Sequence, residues 1–482
     1  MNTLKKIALY TAGAISGVAI SLSVQSVASE SQKSDALPVQ SLRTLAEVYG
    51  QIKANYYEDR NDDKLLEGAM KGMVDSLDPH SEYMNKKDYA ELKEHTTGEF
   101  GGLGMEIGSE DGFIKVVAPI EDTPAERAGI KSGDFITKID GVSTRDLSTS
   151  KAVKKMRGTP GTSIVLTITR KDVDKPITVK LTRAIIKVRS VRHKLLEQDY
   201  GYIRITQFQE RTVAALNEAA QALTKENKGA LKGLVLDLRD DPGGLLNGAV
   251  GVSAAFLPEG ALVVSTKGRD KQAGMVLNAQ PSHYQMKGSN PLEGLPAELK
   301  NIPITVLINS GSASASEIVA GALQDHKRAV IVGTQSFGKG SVQTVLPLNN
   351  GSAVKITTAL YYTPNDRSIQ AQGIVPDVEV KDKKRSFESR EADLAGHIGN
   401  PTGGTEVGSA DEEIASEIKV EAKEKTQKER EAELEARRNP DPKKDVQLGT
   451  ALDLLKSPSK WQQSLGLAAK KPVKKKEDED KE

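Results

Sequence analysis

The chain is expected to be a multidomain α/β protein with an N-terminal helical segment, a compact β-rich module, an α/β core and a charged C-terminal extension. Three observations predict this. Apolar residues recur at helical spacing before Glu94, short alternating runs fill Gly98 to Arg183, and strands alternate with helices from Tyr200 to about Val380. Beyond Val380 charged residues dominate. A chain of 482 residues has room for roughly three domains of about 100–200 residues each.

Lys5 and Lys6 precede an apolar, small-residue run from Ile7 to Val24, and Ser26-Val27-Ala28 supplies small residues at a cleavage point. Residues 1–28 are therefore expected to be a secretory signal cut after Ala28. The alternative is an uncleaved anchor at the inner membrane, because the run is nearly long enough to span a bilayer. Either way the body faces an exported compartment, the periplasm or cell envelope. The absence of cysteine fits that compartment and excludes thiol catalysis and cysteine-ligated zinc. A net charge of +1 gives no global field for nucleic acid, and the basic run from Lys470 to Lys476 is followed by the mostly acidic Glu477 to Glu482. The tail reads as solvated, and no nucleic-acid partner is expected.

In residues 38–97, Leu42, Leu45, Val48 and Ile52, then Leu65, Leu66, Ala69, Met73 and Leu77, mark two helices, and Asp78-Pro79-His80-Ser81 stops the second. They read as a packing or self-association element. Residues 98–183 hold strands at Gly112–Val117, Asp134–Ile139, Ser163–Ile168 and Ile177–Leu181, with short helices at Pro124–Gly129 and Lys151–Met156. Gly101-Gly102-Leu103-Gly104 sets glycines beside a strand, where bare amides can hold a peptide carboxylate while the strand edge pairs with its backbone. With Thr123-Pro124-Ala125-Glu126-Arg127-Ala128-Gly129, Ser132-Gly133-Asp134 and Ile139-Asp140-Gly141, this module resembles a PDZ domain. That resemblance implies protein or peptide substrates with apolar C-termini, bound at Gly101, Gly102, Leu103 and Gly104.

Residues 184–380 form the expected α/β core, which is open to taking in strands from before residue 98. Its strands are Gly201–Ile205, Gly233–Leu238, Ala261–Ser265, Ile304–Asn309 and Ala329–Val332, and helices are expected at Thr212–Thr224, from Leu245, and after Ser316. Lys267 to Lys300 is polar with glycine and proline, and reads as a long surface loop. In the extension, 381–482, Glu412 to Arg438 is expected to be disordered or a solvated helix, and Val446 to Leu455 a late amphipathic helix.

The chemistry concentrates between Gly311 and Gln343. Ser314 stands where a strand ending in Asn309-Ser310 turns into a helix, flanked by residues too small to block an approaching chain, and free amides at a helix start can stabilise an oxyanion. Ser314 to Glu317 also has capping-box spacing, in which the serine merely satisfies an orphan amide. Of the six histidines only His326 is near in sequence, at the polar end Asp325-His326-Lys327-Arg328. Lys339, between Gly338 and Gly340 and close to Phe337 and Val342, is the stronger base: glycines allow close packing, and burial disfavours the ammonium. Gln343 lies four residues on, where it can orient that amine. A triad using His326 is the alternative mechanism. Gly333 to Lys339 also has phosphate-loop spacing, but Gly340 replaces the magnesium-binding hydroxyl and a strand pattern follows instead of a helix.

Gly311 to Gln324, Phe337 to Gln343, Asp237-Leu238-Arg239-Asp240-Asp241-Pro242-Gly243-Gly244 and Tyr361-Tyr362-Thr363-Pro364 with Arg367 to Gln370 together resemble the carboxyl-terminal processing peptidases, or tail-specific proteases. The resemblance implies Ser314 as nucleophile, Lys339 as general base, Gln343 as its positioning residue, and an oxyanion hole from Ala315 and a glycine of the Pro242-Gly243-Gly244 turn, with Gly243 favoured. It departs at Asp240-Asp241, where an asparagine-rich pair is usual, and at Asn365-Asp366, where a glycine-bearing turn is usual. It implies no metal or cofactor, assembly into a homo-oligomer through terminal helices, and service by an adaptor protein. A secreted scaffold that only binds through the PDZ-like module is the competing class.

Overall fold

A computed structural model describes residues 38–466, apart from residues 111, 121, 172, 271–273, 287, 382–388 and 404–438. The expected signal, the segment from Glu412 to Arg438 and the basic-acidic tail lie outside these residues. Among the described residues no helix is long and apolar enough to cross a membrane. The chain divides into two compact units, Met1–Met70 and Lys71–Glu482.

The first unit contains helix α1 (Val39–Asn55) and the start of α2 (Asp62–Asp75). Val39, Leu42, Leu45 and Val48 on α1 are exposed, and Lys53 pairs with Asp59 and Asp62 at 2.8 and 3.0 Å.

In the second unit Asp78 ends the helical run by chelating the chain: Oδ1 accepts the amides of His80 and Ser81, and Oδ2 accepts the Ser81 hydroxyl. The chain then enters β1 (Glu82–Met84), α3 (Lys86–Thr97) and β2 (Glu99–Gly102). Next comes a six-stranded antiparallel sheet of β3 (Met105–Glu110), β4 (Phe113–Pro119), β5 (Phe135–Ile139), β6 (Val142–Ser143), β7 (Ser163–Thr169) and β8 (Ile177–Thr182). Period-two alternation buries Ile164, Leu166 and Ile168 of β7 against Ile114 and Val116 of β4, with Ala125 of α4 (Pro124–Arg127) and Ala152 of α5 (Thr149–Met156) closing one core. Strand β3 lies at one edge of this sheet.

β9 (Ala184–Lys187) returns to pair with β2. The central sheet runs β10 (Val191–Glu197), β11 (Tyr200–Ile205), β12 (Gly233–Asp237), β15 (Ile304–Ile308), β16 (Val330–Gly333) and β19 (Val378–Glu379), parallel throughout except for β10. Alternate residues face opposite layers. Leu234, Leu236, Ile304, Val306 and Ile308 pack under α6 (Thr212–Asn227), α7 (Leu246–Phe256) and α9 (Ala315–Asp325), whereas Val235, Leu307 and Val332 pack under α10 (Val446–Leu455) and α11 (Pro458–Ser464). Burial on both faces explains the nearly continuous apolar runs of these strands, and each such side chain contributes about 1.5–3 kcal/mol.

A second sheet joins β1, β13 (Leu262–Gly268), β14 (Val276–Asn278), β17 (Ser341–Pro347) and β18 (Ala353–Tyr362). Here residues 267–300 depart from the expected loop. They form β14, the short helix α8 (Pro281–Tyr284) and a 3₁₀ turn at Ala297–Lys300, and bury Ala279, Tyr284 and Leu299 in the main core. Each piece is too short to carry a detectable period.

Candidate active site

Two turns at the end of the central sheet build the site. After β15, the Ser312 hydroxyl accepts the Asn309 amide at 3.0 Å and donates to the Leu238 carbonyl at 2.8 Å. Asn309 Oδ1 accepts the amides of Asp240 and Gly311, and its Nδ2 donates to Asp240 Oδ1. The chain is thereby tied to the loop after β12 just before it reaches Ser314. Ser314 has φ 54° and ψ −111°, a conformation that costs a non-glycine residue about 1–3 kcal/mol and presents its side chain at the mouth of α9. Gly243, at φ 96°, lies against it: a Cβ there would come 2.9 Å from Ser314 Cβ, 2.9 Å from the Ala315 nitrogen and 2.7 Å from the Ala313 oxygen. Gly244 instead faces the Phe208 backbone. The Gly243 amide donates to Asp241 Oδ1 at 2.8 Å.

The second turn carries Lys339. A side chain at Gly340 would collide with the Gln370 backbone, so glycine is required for the close approach. Gln370 Oε1 accepts the Gly340 amide at 2.9 Å while its Nε2 donates to Glu391 at 3.0 Å. Glu391, nearly fully buried, also pairs with His80 at 2.8 Å, and its amide donates to the Phe337 carbonyl. Burial holds the Lys339 amine below the ordinary lysine range; Lys355 adds to this, and Glu391, Glu317 and Asp78 oppose it.

Glu317 links the turns. Its Oε2 accepts the Ser314 amide at 2.8 Å and the Lys339 amide at 2.9 Å, while Oε1 accepts the Gly338 amide at 2.7 Å and the Ser336 hydroxyl at 2.5 Å. Burial pushes this carboxyl up to about 7, against the pull of those four donors. The Ser314-to-Glu317 bond is also the returning half of a capping box, so the cap spacing legible in the sequence is present in the fold. Tyr361, on β18, is buried beside Ser314; burial pushes its phenol up to about 12.

The structure thus gathers Ser314, Ala315, Gly243 and the Lys339 turn. The described residues include no hydrogen bond between Ser314 Oγ and Lys339 Nζ. Gln343 is not placed on the lysine: its Nε2 donates to Ser341 Oγ at 2.9 Å and Thr357 Oγ1 at 3.3 Å. His326 is turned away, with Nε2 2.7 Å from the Leu262 carbonyl. The segment after Lys339 is strand β17, not a helix, as the failed phosphate-loop pattern requires. Gly101, Gly102, Leu103 and Gly104 stand apart in the β-rich module, leading into edge strand β3; Leu103 is buried and Gly104 has φ 78°. Sequence reasoning missed Glu317 as a clamp, Asp241 and Tyr361. The Ser314-x-x-Glu317 spacing was legible only as a cap, and Asp241 and Tyr361 only as members of the segments that carry the resemblance, with no role of their own.

A family model described as "Peptidase family S41" matches residues 199–380, one described as "PDZ domain" matches 115–170, and one described as "Activating protease CtpB N-terminal domain" matches 7–88. A "Carboxy-terminal-processing protease" of Bartonella bacilliformis is 44% identical over 402 residues, covering 82% of this chain and 88% of that protein. A "Probable CtpA-like serine protease" of Staphylococcus aureus (strain MRSA252) is 38% identical over 345 residues, 71% of this chain and 65% of that protein. Among solved structures, a photosystem II D1 C-terminal processing protease aligns over 69% of this chain and 85% of its own, at 27% identity and a TM-score of 0.39.

Proposed function

The chain belongs to peptidase family S41 and is a serine-type, carboxy-terminal-processing peptidase with a PDZ domain; from that premise we propose that it cleaves exported proteins by a dyad of Ser314 and Lys339. One observation carries the proposal: a single buried carboxylate, Glu317, accepts the backbone amides of Ser314 and Lys339 at once, tying the turn of a serine at a helix mouth to the turn of a lysine whose amine burial holds below the ordinary range.

A substrate enters by its C-terminus. The glycine-rich stretch Gly101–Gly104, in which Gly101 and Gly102 end β2 and Leu103 and Gly104 turn into β3, takes the carboxylate, Leu103 contributes to the apolar pocket, and the open edge of β3 pairs with the tail. The preceding segment extends to Ser314. The Lys339 side chain swings until Nζ accepts the Ser314 proton as Oγ attacks the carbonyl carbon. The tetrahedral oxyanion is held by the amides of Ala315 and Gly243 at the positive end of α9. Lys339 then returns the proton to the leaving amine, and water repeats the steps on the acyl-enzyme to release it. Gln343 positions the amine in this scheme: its Nε2 is engaged, while Oε1 remains able to accept from the lysine.

The substrate class places the protein in the periplasm or cell envelope, with residues 1–28 either removed after Ala28 or retained as an inner-membrane anchor. Assembly through the terminal helices and an adaptor protein belong to the same proposal. So do the domain limits 38–97, 98–183, 184–380 and 381–482.

Ser314→Ala and Lys339→Ala are each expected to abolish cleavage of an unfolded protein bearing an apolar C-terminus while leaving its tail peptide bound with unchanged affinity. Turnover persisting in either variant overturns the dyad.

A further inference from the structure

Asp241 is the buried ionisable group nearest the oxyanion donor that the scheme above leaves without a task. It is fully buried. Its backbone carbonyl accepts the Ala313 amide at 3.0 Å and the Ser316 hydroxyl at 2.9 Å, which locks it onto both sides of Ser314. Its side chain turns onto the following residues, where Oδ1 accepts the Gly243 amide at 2.8 Å. Oδ2 is buried with no hydrogen-bond partner among the described residues. A carboxyl with one oxygen left dry is costly to ionise.

We propose that Asp241 is a positioning residue that competes with the reaction's oxyanion for the Gly243 amide, so that activity requires its neutral form. The inference rests on Gly243 serving as an oxyanion donor, as proposed above. In the neutral state Oδ1 is a weak acceptor that shapes the turn and yields the amide to the stronger charge developing on the substrate. Once ionised, the carboxylate holds the same N–H by a charge-assisted bond, roughly twice as strong as a neutral one. It also sets a negative charge beside the position where the oxyanion forms, in a site where little water screens it.

Charged groups on neighbouring elements pull in both directions. Burial dominates and pushes the Asp241 carboxyl up to about 8; Asp237 at the end of β12 pushes the same way, while the Gly243 amide, the nearby Ser316 hydroxyl of α9 and Arg204 of β11 pull it back. The switch therefore operates at mildly alkaline pH. Its sign is opposite to that of Lys339, which must lose a proton to work. The two groups together give a bell-shaped profile whose alkaline limb belongs to Asp241.

The test is the pH dependence of kcat and KM for the full-length protein between about pH 6 and 10, with an unfolded protein substrate. Wild type is expected to lose kcat about tenfold per pH unit on the alkaline side, with KM unchanged, because the oxyanion exists only beyond the ground state. Asp241→Asn, which keeps the shape and the acceptor without the charge, is expected to retain the acid limb and lose the alkaline one. An unchanged alkaline limb in that variant overturns the proposal. Wild type supplies a second readout should the variant not fold. A peptide aldehyde, which forms a tetrahedral adduct on Ser314, is expected to bind more weakly over the same alkaline range, whereas the matching unreactive alcohol keeps its affinity; equal pH dependence of the two overturns the proposal. Ser314→Ala run in parallel separates the failures. Activity in that variant sinks the dyad itself, while an inactive Ser314→Ala beside an intact alkaline limb in Asp241→Asn sinks only the role of Asp241.

Discussion

The proposed use of Lys339 as a base rests on what surrounds the amine more than on the amine's own chemistry. Burial is the largest influence that lowers its pKa, and Lys355, across the hairpin on β18, is the next. Lys355 is itself paired with Glu82 at 3.1 Å, which holds it in place. Lys355→Gln removes a positive neighbour, so the Lys339 ammonium becomes less costly and its pKa rises. The acid limb of kcat/KM is expected to move to higher pH, and on its acid side activity falls about tenfold for every pH unit the limb moves. A limb that stays in place, measured across about pH 5–9, contradicts this electrostatic account. Glu317 shows why a single residue can be legible in one role and hidden in another. Its bond to Ser314 spans three residues and reads as a cap, whereas its bonds to Gly338 and Lys339 cross 21 and 22 residues and leave no local pattern.

Strand β12 and helix α10 show the same contrast among elements. The run Leu234-Val235-Leu236 announces a buried strand, and Val446 to Leu455 was readable as a helix from its apolar spacing. What joins them was not readable. Arg239 bonds Asp237 at 2.7 Å and Asp445 at 2.8 Å, and Asp445 caps α10 through the Leu448 amide at 3.0 Å. Asp237 is fully buried, and although burial opposes its charge, Arg239 and Arg204 hold its carboxyl well below the usual range. The charged extension thus returns to brace the loop that carries Asp241 and Gly243. Asp445→Ala removes both the cap and one partner of a mostly buried guanidinium. It is expected to destabilise the protein by about 1–3 kcal/mol in urea titration and to lower kcat more than KM. A change within about 0.5 kcal/mol, the range of an ordinary surface substitution, contradicts the brace.

At the scale of the molecule, two devices are combined: an edge-stranded module that can take a chain end, and a double-layered α/β core that holds a strained serine over a helix mouth. The order of elements was largely legible, since period-two and helical runs mark the long elements and the turns fall at glycine, proline and aspartate. Residues 267–300 were not, because β14 and α8 are only 3 and 4 residues long and their burial depends on partners far along the chain. The central claim is that Ser314 forms the covalent intermediate with Lys339 as its base. The most direct measurement is rapid acid quenching during turnover of a tail-bearing substrate, followed by mass spectrometry of the digested enzyme. The N-terminal product fragment is expected as an ester on the peptide containing Ser314 in wild type, and to be absent from Lys339→Ala. A fragment attached to any other residue, or undiminished acylation of Ser314 in Lys339→Ala, contradicts it.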